Sequence, residues 1–195
     1  MNDTYKTIAN IGEGYYTEKR SKFLAFAHHV ETVDEIKVLL ADYRKKYYDA
    51  RHVCYAYMLG RDRTVFRAND DGEPSSTAGK PILGQINSNA LTDILIVVVR
   101  YYGGVNLGTS GLIVAYREAA ADAIAHCIIE DRVVEQLVSF DYPYEMMNQV
   151  MRIVKEMEPR IVAQEFDNTC KIKLAIRLSE AEQLRQRLEA LRTDF

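Results

Sequence analysis

Asp93-Ile94-Leu95-Ile96-Val97-Val98-Val99-Arg100-Tyr101-Tyr102-Gly103-Gly104-Val105-Asn106-Leu107-Gly108-Thr109-Ser110-Gly111-Leu112 is the stretch that decides the fold class. Its first half is continuously apolar and β-branched, which predicts a strand covered on both faces. A run with four glycines follows. Beyond it Leu112, Tyr116, Ala119, Ala123 and Cys127 recur at helical spacing. Glycines let the backbone turn tightly and approach a ligand with no Cβ in the way. The first N–H groups of a helix have no acceptor inside it, so strand, glycine loop and helix start together form a candidate cradle for phosphate or carboxylate. The plainer alternative is a loop that only turns the chain, with Thr109 or Ser110 as the helix N-cap.

Working outward, Tyr16 to Val30 reads as extended chain. Val33, Ile36, Leu40, Tyr43 and Tyr47 mark an amphipathic helix, with Thr32 as N-cap and Glu35 completing a capping box. Val53, Tyr55, Tyr57 and Leu59 alternate in the next strand, which places His52 and Cys54 on its other face. Gly60 to Arg63 turns the chain, Thr64 to Ala68 forms a short strand, and Asn69 to Ser76 is a loop. The next helix opens at Thr77-Ala78-Gly79-Lys80-Pro81, where proline suits the first turn. After the long helix, which should end near Ile128, the chain starts again around Glu130. A strand through Val134 to Tyr142, a helix through Met147 to Met157, two strands joined at Asp167-Asn168-Thr169, and a last helix capped by Ser179 follow. That β-α-β-β-α order predicts a small ferredoxin-like domain over 131–195. Its final strand would begin at about Asp194, so it is short or missing. Residues 1–130 form the other domain, and the fold class is α+β.

The 195 residues carry a formal net charge of −3, and the sequence pI near 5.9 argues against a generally basic nucleic-acid binder. A local patch is still allowed, since phosphate affinity depends on where cations cluster. Lys19-Arg20-Ser21-Lys22 and Arg44-Lys45-Lys46, with Arg51 close behind, are two such clusters, or simply solvated surface. No apolar run reaches the roughly 20 residues that span a bilayer, and residues 1–6 carry no signal pattern. Cys54, Cys127 and Cys170 are odd in number and fit no metal spacing. These features predict a cytoplasmic protein with reduced cysteines, no membrane partner and no cofactor.

The candidate ligand-binding residues are Gly103, Gly104, Asn106, Gly108, Thr109, Ser110 and Gly111 as the cradle, with Lys80 and Arg100 as nearby cations. Lys80 sits in a helix first turn, where its charge opposes the dipole, so an adjacent anion would explain it as well as solvent does. Asp70, Asp71 and Glu73, three carboxylates in four residues, form an acidic rim that matches no EF-hand loop. His52 is a weaker candidate for the same cleft. Its neighbour Cys54 is discounted as a nucleophile, because a strand cysteine among Tyr and Ala is buried and unreactive. No residue is assigned a catalytic or metal-binding role.

Three strings in order resemble the IMPACT family, also called the YigZ family: Arg51-His52-Val53-Cys54-Tyr55-Ala56-Tyr57, Asp70-Asp71-Gly72-Glu73-Pro74-Ser75-Ser76-Thr77-Ala78-Gly79-Lys80-Pro81, and Val97 through Leu112. The resemblance covers about residues 15 to 128, and the C-terminal part is similar to the smaller domain that bacterial two-domain members carry. The family usually has Gly where this chain has Ser76, and often Lys where it has Asn106. The resemblance implies an N-terminal domain like the second domain of ribosomal protein S5. The two domains together would look like the last two domains of the translocating elongation factor, which act against ribosomal RNA. Eukaryotic members restrain a translation-initiation-factor kinase. They do so by competing for its ribosome-associated activator, and they carry an RWD domain that this chain lacks, so that partner is not implied here.

Besides a purely structural interaction module, which needs only an exposed Tyr101-Tyr102 edge and no ligand, two functions are compatible with these residues. One is a non-enzymatic protein that associates with RNA or the ribosome and regulates translation. The other is a small-molecule enzyme, or a nucleotide- or phosphate-binding protein, that uses the Gly103–Gly111 loop. Asn106 to Gly111 resembles the phosphate loop of small-metabolite kinases of the galactokinase–homoserine kinase superfamily, without their upstream proline.

Overall fold

The computed structural model describes residues 3–193. Contacts divide the chain into two compact units, one spanning Tyr5–Arg132 and the other formed by Val133 onward with Asp3 and Thr4. The division thus falls two residues beyond the sequence-based boundary, and Asp3 and Thr4 group with the second unit.

The first unit contains, apart from the end residues Thr4 and Val133, β1 (Thr4–Ile8), β2 (Gly12–Glu18), β3 (Ser21–His29), α1 (Val33–Lys46), β4 (His52–Leu59), β5 (Val65–Asn69), α2 (Gly79–Ser88), β6 (Ile94–Tyr101), α3 (Gly108–Ala125) and β7 (Ile129–Val133). A five-stranded sheet has the order β2-β3-β6-β4-β5, and every neighbouring pair is antiparallel. β6 lies at its centre. Ile94, Ile96 and Val98 face α2 and α3 together with Cys54, Ala56 and Met58 of β4. Leu95, Val97 and Val99 face Ile36 and Leu40 of α1 together with Val53, Tyr55 and Tyr57. A strand whose successive side chains enter two different cores must be apolar along that stretch, and β6 is so from Ile94 to Val99. The expected capping box at Thr32 and Glu35 is present.

Several local features differ from the sequence-based expectation. The extended stretch from Tyr16 is a hairpin, β2 paired with β3, turned by Lys19 and Arg20, which both take left-handed φ values of 46° and 67°. β1 and β7, not anticipated, form a separate two-stranded sheet. α3 ends at Ala125, and its N-cap is Leu107 rather than Thr109 or Ser110.

The second unit contains β8 (Glu135–Tyr142), α4 (Met147–Met157), β9 (Arg160–Phe166), β10 (Cys170–Arg177) and α5 (Ala181–Thr193). Its antiparallel sheet has the order β8-β10-β9, so the third strand lies between the first two. Val138, Phe140, Ile172, Leu174 and Ile176 pack against Val150, Ile153 and Val154 of α4 and Leu184 and Leu188 of α5. Lys171, Lys173 and Arg177 alternate outward, as their period of two requires. Ser179, expected to cap the last helix, instead donates its hydroxyl to Asp3 Oδ2 at 2.6 Å. The anticipated final strand at Asp194 lies outside the described residues.

Candidate functional site

Strand register creates the site. His52 of β4 and Arg100 of β6 are Cα partners, and Arg100 is also opposite Phe23 of β3. Side-chain alternation turns His52 and Arg100 to the α2–α3 side, beyond Cys54 and Val98 and toward the end of the sheet where α3 begins. The loop after β5 folds back over this end. Asp70 spends its carboxylate on three amides, those of Ser76, Ala78 and Gly79, at 2.9, 3.1 and 2.8 Å. The Asp71 carboxylate accepts from Val53 N–H at 2.7 Å, and its carbonyl accepts from His52 Nδ1 at 2.7 Å. Positive φ at Asp71, Gly72 and Ser76 curls this loop and drops Glu73 inward, where its side chain is 3% exposed.

Glu73 Oε1 accepts from Arg100 Nη1 at 2.5 Å and from the Tyr116 hydroxyl at 2.7 Å. Its Oε2 lies 3.6 Å from His52 Nε2. Because a carbonyl can only accept, the bond to Asp71 fixes the proton of His52 on Nδ1 and turns Nε2 to Glu73. Arg100 reaches Ser21 Oγ through Nη2 at 3.4 Å, and the same oxygen accepts from Gly103 N–H at 3.1 Å. The Arg100 guanidinium also lies 5.5 Å from the Phe23 ring and 5.6 Å from that of Tyr102. Behind the pair, Cys54 donates to the Tyr116 oxygen at 3.4 Å. Burial pushes the Tyr116 phenol far above its ordinary value, reinforced by Cys54 and Glu73. Burial likewise pushes the Cys54 thiol up, despite the opposing hydrogen bond with Tyr116. Both stay protonated at neutral pH, so Cys54 is not a thiolate nucleophile.

Above this floor lies a cavity of about 420 Å³, walled by Arg51, His52, Glu73, Arg100, Tyr102 and the start of α3 from Asn106 to Thr109. Leu107 offers α3 no capping side chain, so the N–H groups of Gly108 and Thr109 lack an intrahelical acceptor where they border the cavity. Gly108 has φ +72°, a conformation in which a Cβ is strained. Gly103 is required for another reason: a Cβ there would stand 2.2 Å from the Arg20 carbonyl carbon.

Of the residues singled out from sequence, Arg100, Asn106, Gly108, Thr109, Glu73 and His52 come together in this cavity. Ser110 and Gly111 border a different hollow, with Tyr16, Glu18 and Lys19. The Gly103 amide is already bonded, and Gly104 supplies a left-handed turn at φ +90°. Lys80 is exposed on α2 and lies outside the cavity wall, as do Asp70 and Asp71. Glu73 is part of the floor, not of a rim. Arg51, noted in the sequence only as part of a basic cluster, and Tyr102 were not among the residues expected to line the cleft. Arg51 carries the exposed cation of the wall, with its guanidinium 5.5 Å from the Tyr102 ring. Among the described residues, no group of three or more His, Cys, Asp or Glu side chains is placed to hold a metal ion. No described helix is long and apolar enough to cross a membrane.

Comparison with known proteins gives consistent matches. Residues 19–124 match the family model of the Impact N-terminal domain. The IMPACT family member YvyE of Bacillus subtilis is 31% identical over 158 residues, covering 81% of this chain and 73% of that protein. An IMPACT family member of Haemophilus influenzae is 34% identical over 160 residues, covering 81% and 78%. A crystal structure described as that of a hypothetical protein superposes with a TM-score of 0.72 at 25% identity, over 98% of this chain and 94% of the other.

Proposed function

The chain belongs to the IMPACT family, and from that premise we propose that it is a non-enzymatic binding protein of translation that associates with RNA or the ribosome through a phosphate held in the cavity beside α3. One observation carries the reading: Arg51 and the uncapped amides of Gly108 and Thr109 border the same cavity, an arrangement that suits an anion. Arg100 beneath them is balanced by Glu73, and the buried Cys54 and Tyr116 hold their protons, which supports binding rather than nucleophilic chemistry. Co-sedimentation with ribosomes tests it. Pelleting should be strong at about 50 mM salt, fall steeply by about 200 mM as counterions compete, and weaken in Arg51→Gln. Absence of association at any salt refutes the reading.

A second reading rests on the cavity volume of about 420 Å³, which falls within the range of small-ligand pockets. The protein would then hold a nucleotide or phosphorylated metabolite. Such a ligand stabilises the folded state by an amount that grows with the logarithm of its free concentration above Kd, and so raises Tm as that concentration exceeds Kd. A flat thermal-shift screen across nucleotides and sugar phosphates eliminates this reading.

A further inference from the structure

The phosphate-binding proposal leaves open which kind of phosphate the cavity accepts, and the inference here rests on that proposal. We infer that the cavity selects a terminal phosphate monoester over an internal phosphodiester. The argument begins with charge. Arg51 and Arg100 contribute two positive charges to the wall, and Glu73 removes one. The start of α3 adds roughly half a positive charge. The sum, about +1.5, is close to the charge of roughly −1.5 to −2 on a phosphate monoester near neutral pH. An internal phosphodiester of RNA brings only one negative charge per linkage.

Donor number favours the same ligand. A monoester presents three free oxygens that accept hydrogen bonds, whereas a diester has two. The wall offers the Arg51 fork, the amides of Gly108 and Thr109, and the Thr109 hydroxyl, with Asn106 beside them. The start of α3 shares this cavity with Arg100, a residue only 5% exposed. Arg100 lines the cavity, but its Nε is closed to solvent and its Nη1 and Nη2 are bonded to Glu73 and Ser21, so it contributes charge rather than a hydrogen bond to the ligand. Tyr102 is 43% exposed at the cavity mouth, next to Arg51. It gives a base or other planar group attached to the phosphate an aromatic face on which to stack. The same monoester occurs at the end of an RNA strand and on a phosphorylated small molecule.

Fluorescence anisotropy of one short single-stranded RNA, prepared with a 5′-phosphate, a 3′-phosphate or hydroxyls at both ends, tests the RNA source. Thermal shift with a nucleoside 5′-monophosphate, against the same nucleoside unphosphorylated, tests the small-molecule source. A terminal phosphate on the RNA should tighten binding about tenfold, which corresponds to about 1.4 kcal/mol. Arg51→Gln should erase the difference with its urea midpoint unchanged, and Asn106→Lys, which adds a cation to the wall, should enlarge it. That gain cannot arise from misfolding. Stabilisation by the monophosphate with no RNA binding of any kind keeps the monoester inference and refutes the RNA proposal. Equal affinity for all three RNAs with no shift by the monophosphate overturns the monoester inference and leaves RNA association standing. No response in either assay refutes both.

Discussion

Removing one member of the Glu73–Arg100 pair should destabilise the first unit far more than removing both. Arg100 is 5% exposed, and the shortest contact of its fork is Glu73 Oε1 at 2.5 Å. Glu73→Ala leaves that guanidinium buried without a counter-charge, a change that costs about 3–5 kcal/mol, and it also deprives the Tyr116 hydroxyl of its acceptor. Arg100→Met leaves the Glu73 carboxylate 3% exposed with Tyr116 as its main donor, a loss of the same order of about 3–5 kcal/mol. The combination Glu73→Leu with Arg100→Met removes both charges and fills the space with carbon, and it should lie within about 2 kcal/mol of the parent. The double variant should therefore be more stable than the sum of the singles by more than about 3 kcal/mol. Urea unfolding followed by tyrosine fluorescence is the assay. The chain has no tryptophan and thirteen tyrosines, of which only Tyr142 and Tyr144 lie in the second unit, so the signal reports the unit under test. Midpoints convert to free energies only where m is unchanged between variants. Additive losses, with the double variant as unstable as the two singles combined, would show that the pair is not coupled and would refute the account of the cavity floor.

Three further outcomes follow from local geometry. Ser76 has φ +63°, which costs an L-residue about 1–2 kcal/mol. Ser76→Gly relieves this at an entropic cost of about 0.5–1 kcal/mol, so the urea midpoint should rise slightly, and a fall would refute the strain argument. Thr32→Ala removes the side-chain oxygen that accepts from Glu35 N–H and should lower stability by about 1 kcal/mol in the same assay. The third concerns pH. The Ser179 hydroxyl at 2.6 Å, aided by the Arg177 guanidinium, holds the Asp3 carboxyl below its ordinary value against the opposing effect of burial. A carboxyl with a depressed folded value adds stability that is fully present above its unfolded pKa of about 3.9 and disappears as pH falls through the folded value. The urea midpoint of the second unit, followed by circular dichroism because the tyrosine signal reports the first unit, should therefore lie lower in Asp3→Asn than in the parent at pH 5 and converge with it in more acid solution, whereas a constant gap would refute the assignment.

Local pattern reveals what local physics decides. β6 is legible because both of its faces are buried, and the α1 start because Thr32 and Glu35 satisfy each other's orphan backbone groups. The β2–β3 hairpin is not, because Lys19 and Arg20 take left-handed conformations without the glycine or asparagine that usually marks them. β1 and β7 are illegible for a different reason. They pair across more than 120 residues, and β7 carries Glu130, Asp131 and Arg132 in place of an apolar alternation. At the site, the motif points to the correct end of the sheet but not to the division of roles. Asp70, Asp71 and Glu73 have the same local appearance, yet only the third enters the core. The partners of Glu73 lie 27 and 43 residues away, and no short window contains that information.

The buried ion pair has its main effect on position. An apolar floor of equal volume would stabilise this end of the sheet at least as well, but it would not set direction. The Arg100 fork sends Nη1 to Glu73 and Nη2 to Ser21, and Ser21 in turn holds the Gly103 amide. Three segments distant in sequence are thereby fixed to one side chain of the central strand: the loop before α2, the start of β3 and the glycine loop. Only four residues separate Gly103 from the first residue of α3, so the amides of Gly108 and Thr109 inherit their direction from that anchor. Binding groups supported by a rigid strand hold their geometry better than groups carried by a free loop. By this logic Arg100 has little need to touch a ligand in order to govern its binding.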